Sequence, residues 1–238
     1  MAANEQPMSF SYRFFPGQQM IYRVKVDGLI QVETPQGTSV NPIKIEMEIW
    51  QTIREVVDGK ARIDIFVKSA RAFSGSESTA LPEEGSHSSL IMNTRGSVTY
   101  ELGSTPVQGS EFAQMTFPDQ LLQLGDSWEQ DANTSPNAPV KAKTLYTLLR
   151  SESIGQHLCS VFHAQMAMPS VTTQTGGSAH GGTSIGEVWF APELGQVVQT
   201  IATSNFSFSI PISEMGATAK TSTRLRTEMK LLKSGKSQ

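Results

Sequence analysis

The chain has 238 residues, 22 of them acidic and 19 basic, for a formal net charge of −3. That length holds one large β-domain or two small ones with a substantial core, and the near balance of charge supplies no basic field for nucleic acid. No apolar run approaches the roughly 20 residues of a membrane-spanning helix, and the single Cys159 has no partner for an internal disulfide.

Residues 1–10, opening MAANEQPM, carry neither a basic n-region nor an apolar h-region and are expected to form a loose leader. Met-Ala-Ala before a polar segment fits a start codon placed on a processed chain. A processed chain would be periplasmic or secreted, the location expected from the resemblance given below; a native N-terminus would instead imply the cytoplasm. From Tyr12 onward the pattern is that of strands. Tyr22, Val24 and Val26 alternate with Arg23 and Lys25. Asp27-Gly28 then reads as a turn, with Leu29 to Glu33 as the partner strand. Ile43, Ile45, Met47 and Ile49 alternate with Lys44, Glu46 and Glu48, the period of a sheet with one dry face and one wet face. Asp58-Gly59 predicts a hairpin into the strand that carries Ile63, Ile65 and Val67. Residues 74–89 read as a surface loop, and Leu90–Met92 with Ser97–Leu102 as a hairpin about Arg95-Gly96.

A central phrase, TFPDQLLQLGDSWEQ from Thr116, combines a Phe-Pro turn, an apolar run and a Gly-Asp turn leading into Trp128. After it come a polar loop from Asp131 and strands over Lys143–Arg150, Leu158–Met166, Ile185–Phe190 and Gln196–Thr203. The glycine-rich TGGSAHGGTS from Thr175 reads as a hairpin loop or lid. Asn205–Ile212 forms a further strand that Pro211 places at an edge or an end. Ser222–Leu232 alternates Leu225, Met229 and Leu231 with Arg224, Arg226, Glu228 and Lys230. Phrases recur about 100 residues apart: Phe15-Pro16 with Phe117-Pro118, Asp58-Gly59 with Ile154-Gly155, and Gly96 with Gly195. The expectation is an all-β chain of two similar β-meander halves, 11–112 and 113–232. They would share one core in a long curved antiparallel sheet, half-barrel or sandwich, with 233–238 as a loose tail.

Candidate chemistry is sparse. Gly125-Asp126-Ser127 resembles the opening block of the GDSL hydrolases, in which the Ser is the nucleophile. Here Trp128 stands where Leu is expected, and no Asp-x-x-His follows near the C-terminus. A turn that aims Trp128 into the core is therefore expected, and a hydrolase ranks third among the readings. His157, Cys159 and His163 share a strand face, but His163 would lie about 20 Å beyond His157 at ~3.3 Å per residue, so no metal site is expected. The glycines around His180 lack a Gly-Lys-Ser/Thr ending for phosphate. Asn133-Thr134-Ser135 and Asn205-Phe206-Ser207 match glycosylation acceptors, which a bacterial origin would make irrelevant. No cofactor is expected.

Methionine is frequent, at 10 residues, and its adaptable side chain fills irregular cores or accepts varied apolar ligands. Met47, Ile49, Ile63, Ile65, Met166 and Met229 are the residues expected to line such a ligand on the dry face.

The phrases FFPGQQMIYRVKVDG and TFPDQLLQLGDSWEQ resemble a family of bacterial envelope β-proteins with a Phe-Pro…Gly-Asp-Ser-Trp phrase. More distantly, the long alternating strands are similar to the half-barrel lipoprotein carriers, which bind acyl chains in a concave sheet. This chain differs from the carriers in showing no packing helices. The resemblance implies a non-catalytic envelope binding module for a hydrophobic or lipid-like molecule, or for an envelope protein. The alternative is a structural or assembly protein that uses exposed strands for protein contacts.

Overall fold

The computed structural model describes residues 6–75, 77–101, 115–131, 142–172, 178–212 and 217–236. The Asn133-Thr134-Ser135 triplet, most of the loop after Asp131, Gly176, Gly177 and Met215 lie outside the described residues. Those described form one curved, open antiparallel sheet without a helix.

The first meander comprises β1 (Gln18–Thr34), β2 (Gly37–Val57), β3 (Lys60–Ser74), the short β4 (Glu77–Ala80), β5 (His87–Asn93) and β6 (Val98–Tyr100). The second comprises β7 (Ser127–Asp131), β8 (Lys143–Ile154), β9 (His157–Met168), the short β10 (Val171–Thr172), β11 (Ser178–Ala191), β12 (Gln196–Ile212) and β13 (Ala217–Lys236). Across the sheet the order is β6-β5-β3-β2-β1-β13-β12-β11-β9-β8-β7, with β4 paired to β3 and β10 to β11. Counting from each start, β1-β2-β3-β5-β6 and β7-β8-β9-β11-β12 follow the same order, and β13 joins them by pairing with both β1 and β12.

The alternation sorts side chains onto two faces. Along β2, Ile45, Met47 and Ile49 point inward, while Lys44, Glu46 and Glu48 point outward. Asp58 and Gly59 have φ of 49° and 72°, so this hairpin takes the positive-φ turn that Asp-Gly suits. Asp27-Gly28, by contrast, is not a turn. Strand β1 runs straight through it, pairing Gly28 with Ile43 and with Leu225. The glycine is needed for closeness: a Cβ there would lie 2.2 Å from the Arg224 carbonyl oxygen. Gly186 on β11 is in the same position toward β12, 2.2 Å from the Ile201 carbonyl oxygen. Both mark places where neighbouring backbones crowd on the inner side.

Other expectations are revised by long-range pairing. Gln196–Thr203 and Asn205–Ile212 are one strand, because β13 offers an unbroken partner along both. Glu77–Ala80, inside the expected 74–89 loop, pairs with β3. The Gly-rich segment from Ser178 belongs to β11, with the extra residue of a bulge at Gly181 (φ 85°). The expected tail is also partly strand, since Ser234–Lys236 pair with Gln18–Met20.

Nor is the leader wholly loose. Residues 6–17 and 115–126 cross the inner face as two straps. They meet in an antiparallel bridge at Met8 and Leu122. The Met115 N–H donates to the Tyr12 hydroxyl (2.9 Å), the Tyr12 N–H to the Thr94 carbonyl (2.7 Å) and the Phe117 N–H to the Arg95 carbonyl (2.8 Å). Phe10, Tyr12, Met115, Phe117 and Leu122 are buried against Phe162 and Phe190 of the second meander and Leu90 and Met92 of the first. Phe117 meets Phe190 edge to face with centroids 4.8 Å apart, a geometry favoured by ring quadrupoles. The straps thus fill the base of the inner face and tie the two meanders together.

Candidate functional site

The inner face is best followed in cross-strand rows above the straps. The row Met47–Val24–Met229–Thr200–Val188–Phe162–Leu148 is buried throughout. The next runs Ile45–Val26–Thr227–Ala202–Gly186–Ala164–Tyr146, and the one above it Ile43–Gly28–Leu225–Ser204–Ser184–Met166–Thr144. In both, the middle positions are small: Ala202, Gly186, Ala164, Ser204 and Ser184. Larger side chains stand at the two ends, with Ile43, Ile45 and Val26 on one side and Met166 and Tyr146 on the other. Small residues between bulky flanks mark a strip along the middle of the curved sheet, called the channel below, where side chains reach least far inward and where Ala202, Ser204 and Ser184 are buried. The flanking Ile43, Ile45, Val26, Leu225 and Met166 are half-buried, unlike the rows below. The polar atoms of the channel floor are satisfied locally, as the Ser204 hydroxyl donates to Ser184 at 2.8 Å.

Of the residues expected to line a ligand, Met47, Ile49, Ile63, Ile65 and Met229 lie in the core beneath or beside the straps. The space left there, bordered by Ile63, Ile65, Tyr12 and Met92, is about 10 Å³, room for about one water. Met166 alone reaches the channel wall. The sequence signal for the channel itself was the run of small residues at alternating positions of β11 and β12, which is visible only once the register aligns them.

The remaining candidate chemistry is held in structural pairs. Gly125-Asp126 is the expected turn: the Gln123 N–H donates to the Asp126 carboxylate (2.8 Å), and Trp128 then stacks on Tyr146 at 5.4 Å. The Trp128 indole N–H donates to the Thr116 carbonyl (2.8 Å). The Ser127 hydroxyl shares a hydrogen bond with Thr147 at 2.8 Å. On the outer face His157 pairs with Glu193 (2.8 Å), while Cys159 is buried beside Val161, Trp189, Ala191 and Val198. Burial pushes the Cys159 thiol up to about 11, which keeps it a neutral apolar group rather than a nucleophile. Arg150 covers this cluster, held bidentately by Glu187 (3.0 and 2.9 Å) and by Glu152 (2.8 Å). The hydrogen bond from the Trp189 indole, followed by that from Arg150, holds the Glu152 carboxyl below its ordinary range. Among the described residues no group of three or more His, Cys, Asp or Glu stands together as metal ligands would, and no helix is long and apolar enough to cross a membrane.

Fold and site together define an open, all-β half-barrel whose base is filled by its own straps and whose upper inner face carries a strip of small side chains between larger apolar ones. No family model matches the chain, and no curated protein matches it in sequence. Among solved structures it is similar to lipovitellin, in a study of lipid–protein interactions, at 13% identity and a TM-score of 0.49. That match covers 95% of this chain but 26% of the lipovitellin chain. A Bacteroides fragilis protein with a YmcC-like fold, named as exported, matches at 11% identity and a TM-score of 0.43, over 96% of this chain and 100% of its own. A lipoprotein-sorting protein domain from Vibrio parahaemolyticus matches at 12% identity and a TM-score of 0.17, over 89% of this chain and 85% of its own. At these values none of them assigns a ligand.

Proposed function

We propose that the chain is a non-catalytic binding module that takes an apolar, acyl-like ligand in the inner channel, in a bacterial envelope setting. The observation that carries this reading is the pattern of small residues, Gly186, Ala202, Ala164, Ser184 and Ser204, between the half-buried apolar walls of Ile43, Ile45, Val26 and Met166. Sites for apolar ligands are concave, mostly apolar and preformed, and an apolar chain laid there gains about 25 cal/mol for each Å² it hides from water. The straps fill the base at one end of the channel, so bound chains would enter from the end away from Phe10 and Phe117. The envelope setting is supported by the resemblance of the two Phe-Pro phrases. An assembly role through exposed strand edges is less favoured: among the described residues the outermost strands are short, Val98–Tyr100 and Ser127–Asp131, and offer little ladder for another chain.

The test is native mass spectrometry of the purified full chain, followed by organic extraction and lipid analysis. Near-stoichiometric acyl species are expected in the parent protein and should be depleted in Ala164→Phe, which fills the channel. A clean apo mass that persists after incubation with acyl lipids would sink the proposal.

A further inference from the structure

A second hollow lies on the opposite, outer face, toward the far ends of the long strands, with a volume of about 690 Å³. That is within the range of roughly 300–1,000 Å³ common for small-molecule sites. The register shows how it is made. One outer row runs Val40–Gln31–Ser222–Ser207, and the next runs Leu29–Arg224–Asn205–Thr183. Short side chains in the middle, Ser222, Ser207 and Thr183, lower the surface. The rows on either side carry longer charged pairs, Asp27 opposite Arg226 and Glu33 opposite Lys220. The result is a trough between charged banks. It crosses β2, β1, β13, β12 and β11, a span of about 19 Å at ~4.8 Å per strand interval.

The chemistry of the lining is uneven along that length. At one end Leu29 and Val40 stand 50% and 56% exposed, an apolar surface open to solvent. In the middle is Arg224, and no carboxylate is among the lining residues. Arg224 faces Leu29 across one ladder and Asn205 across the other, so no acid stands opposite it on either neighbouring strand. At the far end the His180 ring bonds to the Ser209 hydroxyl at 2.6 Å. A guanidinium binds planar or tetrahedral oxyanions through paired hydrogen bonds, and the aliphatic end suits an alkyl chain.

We propose that this trough binds an anionic amphiphile, with a carboxylate or phosphomonoester head at Arg224 and an alkyl tail along Leu29 and Val40. The site is separate from the inner channel, on the other face of the same strands, and stands whether or not the channel is occupied. The test is calorimetric titration of the full chain with dodecanoate, dodecyl phosphate, uncharged dodecanol and inorganic phosphate, all below micelle formation. Saturable binding of at least one of the two anionic amphiphiles is expected, with the preferred head telling carboxylate from phosphate. Dodecanol and inorganic phosphate should each bind about tenfold more weakly or worse. Arg224→Gln should weaken binding by about the same factor, Ser222→Trp should abolish it by filling the trough, and Ala164→Phe should leave it unchanged. No binding by either anion, equal binding by dodecanol or inorganic phosphate, equal binding by Arg224→Gln, or loss in Ala164→Phe with retention in Ser222→Trp would each overturn the proposal.

Discussion

Gly28 shows how a single residue can mislead when read locally. Asp-Gly is a strong turn signal, and the identical dipeptide at Asp58-Gly59 does turn the chain. At Gly28 the missing Cβ serves β13 instead, whose backbone approaches too closely for any side chain. A turn residue with negative or free φ tolerates alanine well, whereas this site does not. Gly28→Ala is therefore expected to destabilise the fold by about 1–3 kcal/mol, the usual cost of forcing atoms into a packed site. Urea unfolding would check it, and an unchanged midpoint would mean that β1 and β13 can separate locally at little cost. The Ile43–Ile49 alternation was legible because its information is local, one residue in and the next out. The role of Gly28 was not, because its partner lies at Leu225, in the last strand.

At the scale of elements, the two Phe-Pro phrases were visible as a pair, but their relationship was not. Sequence suggested that each opens a half; the structure makes them neighbouring straps whose contact, Met8 with Leu122, is invisible to any local pattern. Nor are the two phenylalanines equivalent. Phe117 is 3% exposed amid Phe10, Phe162, Phe190 and Trp128, whereas Phe15 is 57% exposed. Phe117→Ala should cost about 3–5 kcal/mol, and Phe15→Ala should stay within about 0.5 kcal/mol of the parent. Denaturant titration of the two variants side by side measures the difference, and similar losses would contradict the strap arrangement. The turns at Gly59 and Gly155, and those at Gly96 and Gly195, do fall at matching places in the two strand orders. The latter two each abut the first strap: a Cβ on Gly96 would strike the Tyr12 ring, and one on Gly195 would strike Arg13.

For the molecule as a whole, the buried phenols and the buried thiol set a limit on the alkaline side. Burial raises Tyr12 and Tyr22 far above the ordinary tyrosine value, Tyr146 to about 12 and Cys159 to about 11. A group whose folded value is raised keeps its proton in the fold where the unfolded chain would lose it. Its stabilising effect is complete below the unfolded value and is lost as pH rises toward the folded one. The decline should begin with Cys159 above about pH 8.5 and steepen above about pH 10, where free tyrosines ionise. Urea midpoints measured across that range, with phenolate absorbance followed in parallel, should show unfolding and tyrosine ionisation together. Tyrosine ionisation well before unfolding would place these rings in water.

The pairing of β1 with β13 has a consequence for how the molecule comes into being. Gln18 and Ser234 touch across 216 residues of chain, and this ladder sits at the centre of the sheet, not at its rim. During synthesis the first meander emerges with β1 as a bare, long, alternating edge and must wait for the last strand to arrive. Contacts so distant in sequence form slowly, and an open edge invites other chains in the meantime. A chain cut before β13 would leave two such edges, β1 and β12, facing each other across an unfilled place that fits one more strand. That vacancy is what a holding chaperone would have to shield, and what a second truncated copy would try to fill.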